Sequence, residues 1–181
     1  MMGTAGFAVV LVVVGAVAAG CSSSPSRSVS ASELRSYVSA VDRIRLPVNQ
    51  LLTGADPILN GFKTKKISPQ TASDQMGALE NRFATYAVDI NALHLSNARL
   101  KKLNDLYAHT FLFEDSYLST LAADLPDGNF DNLPNTQNEQ RLDIITWRTQ
   151  LEILARTDHV RLPADLHQAG RGEIAPSPGG S

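Results

Sequence analysis

Four histidines, one cysteine and a few clustered carboxylates are the side chains of this sequence with chemistry to offer. His94, His109, His159 and His167 are too irregularly spaced for any two to form a helical metal pair. Asp105 and His109 stand four residues apart in a helical region, so their side chains can meet. In an enzyme such a pair orients an imidazole, and His109 is the residue a cryptic catalyst would use. The simpler expectation is a surface contact. Asp158-His159 reads as a helix end, where an imidazolium favours the dipole. The run Asp127-Gly128-Asn129-Phe130-Asp131-Asn132 opens like a calcium loop. However, Asn132 replaces the turn glycine and Asn138 the bidentate glutamate, so a plain turn is expected. Glu114 and Asp115 point about 100° apart on a helix, form no dyad, and are expected on a solvated face. The sequence has no G-x-S-x-G elbow, S-x-x-K, H-E-x-x-H, glycine-rich phosphate loop or C-x-x-C. The reading is therefore a non-enzyme with no catalytic residue, no cofactor and no metal ligand.

Cys21 is the single cysteine, and its context supplies a reason for it. Met1 to Gly20 carries no charge, Phe7 to Val17 is almost wholly apolar, and Ala18, Ala19 and Gly20 are small. A short apolar run ending in small residues has the form of a signal peptide, and is shorter than the roughly 20 residues a membrane span needs. The junction Ala18-Ala19-Gly20-Cys21 resembles the lipobox of bacterial lipoproteins, with Ala18 where Leu is more usual. The resemblance covers only the first two dozen residues. It implies a diacylglyceryl group on Cys21, cleavage in front of it, and a protein held on the outer face of a membrane by its lipid. An uncharged n-region is unusual for such a leader, and a start codon upstream of Met1 would account for it.

Composition narrows the partners. With a net charge of −2 over 181 residues, the chain lacks the basic excess of a nucleic-acid surface or a polybasic membrane patch. Lys63, Lys65 and Lys66 are expected in a solvated loop. The partners expected are the membrane, through the lipid, and a protein of the envelope.

The elements that must position these residues are helical. Residues 1–20 are read as the signal peptide, 21–30 as a Ser-rich tether, 31–168 as a bundle domain and 169–181 as a disordered Gly/Pro/Ser-rich tail. Ser30 and Glu33 form a capping box. Leu34, Tyr37, Val41, Ile44, Val48, Leu51 and Ala55 follow at helical steps, continuing in phase across Pro47, which predicts a bend. Asp56-Pro57 predicts a short helix through Phe62. Ser68-Pro69 opens a helix with the stripe Ala72, Met76, Leu79, Phe83, Tyr86, Ile90 and Leu93. Ser96 is the expected cap of the next, whose stripe is Leu100, Leu103, Tyr107, Thr110, Phe113, Tyr117 and Leu121. A last helix spans about Thr136 to Arg156. Strict alternation of the strand type is absent, so the fold class expected is all-α, an antiparallel bundle of about four helices.

The last helix is apolar on two sides. Ile144, Trp147, Leu151 and Leu154 make one stripe, and Leu142, Ile145 and Ile153 a second nearly opposite. Either a loop or the tail covers the second stripe, or Leu142, Ile145 and Ile153 are a partner interface. Function follows as a lipid-anchored interaction module. The alternative is a carrier in which Tyr86, Tyr107, Phe113, Tyr117 and Trp147 line a gap for a lipid or other apolar ligand.

Overall fold

The computed structural model describes residues 27–168 and 173–178. Cys21, the leader and most of the tether therefore lie outside the described residues. Among the described residues five α-helices, α1 (Ala31–Leu52), α2 (Ala55–Lys63), α3 (Pro69–Asn91), α4 (Ala98–Asp124) and α5 (Gln137–Thr157), precede a 3-10 turn at Ala164–Gln168. The described residues contain no strand. The four long helices pack in an up-down-up-down ring, α3 against α1 and α4, and α5 against α4 and α1. The all-α antiparallel bundle expected from the sequence is the fold found.

The local signals explain most helix starts. The Ser30–Glu33 capping box is formed in both directions, and Ser68 caps α3 ahead of Pro69. Helix α1 runs unbroken through Pro47. Two starts differ from expectation. Asn97, not Ser96, caps α4, because its Oδ1 accepts from the Arg99 amide at 3.0 Å. Helix α2 begins at Ala55, since only two residues separate it from the end of α1 and the chain re-enters a helix at once, leaving Asp56 inside the first turn. Two helices end in left-handed residues other than glycine, Lys65 (φ 56°) after α2 and His159 (φ 52°) after α5. Both complete Schellman motifs. The Lys66 amide donates to Gly61 O at 2.8 Å and the Lys65 amide to Phe62 O at 3.0 Å, with Val160 to Ala155 O and His159 to Arg156 O as the counterparts.

The expected α1 stripe is wholly buried, and in α3 Ala72, Met76, Leu79, Phe83 and Ile90 are too. Trp147 sits at the centre, stacked on Tyr107 at 4.1 Å and donating its Nε1 hydrogen to Tyr37 Oη at 2.9 Å. Phe111 continues the aromatic core between Tyr107 and Phe83. Both ends of the expected domain are tighter than the sequence suggested. Val29 is buried and Ser28 O accepts from Asn97 Nδ2, so the bundle begins before residue 30. Residues 173–178, expected in a disordered tail, lie against the bundle with Glu173 and Ala175 buried.

Candidate functional site

Two features stand out, an apolar stripe left on the outside and a polar cluster taken inside. Helix α5 has the two faces its sequence implied. Ile144, Trp147, Leu151 and Leu154 are at most 3% exposed, whereas Leu142, Ile145 and Ile153 are 62%, 41% and 50% exposed. The other large exposed apolar residues, Leu46, Val88 and Leu112, are spread over α1, α3 and α4. At 100° per residue Leu142, Ile145 and Ile153 fall within an arc of about 80°. Residues 173–178 do not cover them; they dock instead near the start of α5, on Gln137 and Gln140.

The interior cluster is built on three helices. Arg45 of α1 is 2% exposed. Its guanidinium holds Asp42 at 3.0 Å, Asp165 in a short ion pair, and Glu173 at 3.6 Å. Burial pulls the Arg45 pKa down, but hydrogen bonds to Asp165 and Asp42 outweigh it, and the group is held charged. On α4, Glu114 is 1% exposed rather than solvated as its sequence suggested. One of its oxygens accepts from Gln140 Nε2 of α5 at 2.9 Å and the other from the Ala175 amide at 2.8 Å. Burial pushes its pKa up to about 7 against those two donors, which favour the ionised form. Desolvation likewise raises Tyr107, and Tyr117 to about 12.

The segment 173–178 crosses this notch as a strap that bends at Glu173 and Ile174. Gln140 Nε2 donates to Glu173 O (3.4 Å), Gln137 Nε2 to Ala175 O (3.3 Å) and Tyr117 Oη to Pro176 O (3.1 Å). Beneath it Val48, Phe83, Tyr107, Thr110, Phe111, Glu114, Gln140 and Glu173 enclose a space of about 10 Å³ for the centre of a water molecule. That is room for about one water.

The remaining sequence candidates are placed apart from this cluster. Asp105 pairs with Lys101 at 2.8 Å instead of with His109. His109, half exposed, meets Asp143 at 3.3 Å and lies 4.3 Å from the Phe113 ring. The Asp127–Asn132 loop is a turn, with Asn129 Oδ1 accepting from the Asp131 amide and Phe130 packed edge-on against Phe62. Among the described residues no group of three His, Cys, Asp or Glu is placed to hold a metal ion. The aromatic residues weighed for a ligand gap do not share one. Tyr107, Tyr117 and Trp147 are closed into the core, Phe113 lies beside His109, and Tyr86 lines an open groove between α1 and α3.

Sequence reading missed Arg45, Glu114, Gln140 and Glu173. Three of them carried a signal. Arg45 is in phase with Val41, Val48 and Leu52, Glu114 with Thr110, Tyr117 and Leu121, and Gln140 with Ile144, Trp147 and Leu151. A polar residue at a stripe position is a buried polar residue in waiting. The chain matches none of the family models, curated proteins or solved structures with which it was compared.

Proposed function

We propose that this chain is a lipid-anchored protein of the cell envelope, tethered through Cys21 on the extracytoplasmic face, whose helical domain docks a protein partner and catalyses nothing. The observation that carries the docking role is the exposed stripe Leu142, Ile145 and Ile153 on a helix whose opposite face is fully used by the core. Isolated apolar residues on a surface need no explanation, but three on one side of one helix make a patch of the kind that partners cover. The leader and Cys21 support the address. Among the described residues no helix is long and apolar enough to cross a membrane, so these residues offer no helical anchor in place of the lipid.

A photo-crosslinking residue placed at Ile145 in living cells tests the docking role, with Val88, exposed on α3, as the control position. We expect a discrete adduct from position 145, none from 88, and loss of the adduct when Leu142→Asp is added. No adduct at 145, or the same adducts from both positions, would reject the stripe as the interface.

A further inference from the structure

A groove on the outside of α1 gathers arginines that the fold does not use. It runs between α1 and the segment 160–163 that follows α5 and has a volume of about 380 Å³. That is within the size range of small-ligand pockets. Arg35 and Arg43 line one wall and Arg161 the other. Among the described residues none of the three has an ion-pair partner. The cause lies inside the bundle. Buried Arg45 draws the neighbouring acids to itself, Asp165 and also Asp42, which is the one carboxylate lining the groove. Asp42 Oδ1 accepts from Arg45 twice, at 3.0 and 3.2 Å. The outer arginines are left uncompensated, a local excess hidden by the net charge of −2. A concave surface lined by one sign of charge focuses its field and concentrates counter-ions.

The spacing suits one small anion. Arg35, Ser39 and Arg43 follow at four-residue steps and so stand on successive turns of α1. The two arginines are about 12 Å apart along the axis, and each can extend towards Ser39, whose hydroxyl is a further donor. A guanidinium fork binds a phosphate through two parallel N–H···O bonds. The rest of the lining is largely apolar. Val38, Leu46, Val160 and Pro163 complete it, and Leu46 is 49% exposed. We propose that this groove binds a phosphate group carried beside an apolar body, the chemistry of an anionic phospholipid. A soluble organic phosphate shares the oxyanion but leaves Leu46 and its neighbours uncovered. The groove begins one turn into α1, close to where the chain enters the bundle. Under the lipid anchor proposed above, residues 21–27 span at most about 25 Å, which brings headgroups within reach. The site itself does not rest on that anchor, nor on the α5 stripe.

The test uses the full chain carrying Cys21→Ser, so that no attached lipid contributes, in a nonionic detergent. Native mass spectrometry reads the bound fraction on titration with dioleoyl phosphatidylglycerol, with dioleoylglycerol, which lacks the phosphate, and with glycerol 3-phosphate, which lacks the chains. We expect phosphatidylglycerol to bind at least about tenfold more tightly than either. Arg35→Gln with Arg43→Gln should weaken it at least about tenfold while helical circular dichroism is unchanged. The control is Arg99→Gln with Lys102→Gln, an equal charge change at exposed positions of α4, which should leave binding as it was. Unchanged binding in the groove variant, or the same loss in the control, overturns the site. Glycerol 3-phosphate binding as tightly as phosphatidylglycerol assigns the groove to a soluble phosphate and overturns the lipid. Dioleoylglycerol binding as tightly overturns the phosphate. Should the groove variant lose its helical signal, Arg161→Gln decides, since Arg161 lies on the other wall and outside the helices. Undiminished binding there overturns the proposal.

Discussion

Single side chains set several local free energies in this molecule, and each can be checked by one substitution. Lys65 and His159 hold left-handed conformations at Schellman caps. An L side chain there costs roughly 1–2 kcal/mol, which glycine escapes while losing some of the gain to unfolded-state entropy. We expect Lys65→Gly and His159→Gly each to raise stability by up to about 1 kcal/mol, seen as a higher midpoint in urea. Ser30→Ala removes the capping box and should cost about 1 kcal/mol in the same measurement. Glu114 predicts a pH dependence. Its pKa is about 7 in the folded chain against an ordinary 4.5, so the native state binds the extra proton. Stability is then highest below pH 4.5 as far as this group is concerned, and falls as pH rises to about 7, by up to about 3 kcal/mol. In Glu114→Gln that downward slope between pH 4.5 and 7 should be absent from denaturation curves; an unchanged slope would mean that Glu114 does not cause it.

At the scale of elements, α5 carries the partition between core and contact. Its inner stripe is closed against Tyr107 and Tyr37, and its outer stripe meets solvent. Leu142→Asp with Ile145→Asp should change the unfolding midpoint little, because both side chains are already wet, while abolishing partner capture. Leu79→Asp on α3 is 6% exposed in the wild type and should unfold the domain or cost several kcal/mol, measured by loss of helical circular dichroism. Both faces of α5 and the spans of α1, α3 and α4 were legible in the sequence because apolar periodicity records what each helix buries. The caps at Gly54 and Asn97 were not: Ser96 and Asn97 compete for one cap, and α2 starts ahead of Asp56 because the chain re-enters a helix just after α1. Glu114 was misplaced to solvent because its charge outweighed its phase. Helix α4 packs against both α3 and α5, so a wider arc of it is buried than one stripe suggests.

At the scale of the whole molecule, the described ends face different tasks. The chain enters the bundle at Ser28 and Val29 beside the α4 cap, and under the proposed lipid anchor the residues from Cys21 to Arg27 would link domain and lipid. Helix α1 then runs about 33 Å, so the α2–α3 loop stands at the far end from that entry. The C-terminal segment returns to the same bundle and is fixed by Arg45, a long-range contact that no local pattern announces. Its Gly/Pro/Ser-rich neighbourhood pointed to disorder, and long-range contacts supply the order: Glu173 with Arg45, Ala175 with Glu114, and the carbonyls of Glu173, Ala175 and Pro176 with Gln140, Gln137 and Tyr117. The proposed role depends on where the domain is held, and that is measured most directly by the intact mass of the protein in the membrane fraction of its own or a related host, wild type beside Cys21→Ser. We expect a wild-type species beginning at Cys21 and heavier by its acyl chains, absent from the variant. An uncleaved or unmodified chain would contradict the lipid anchor.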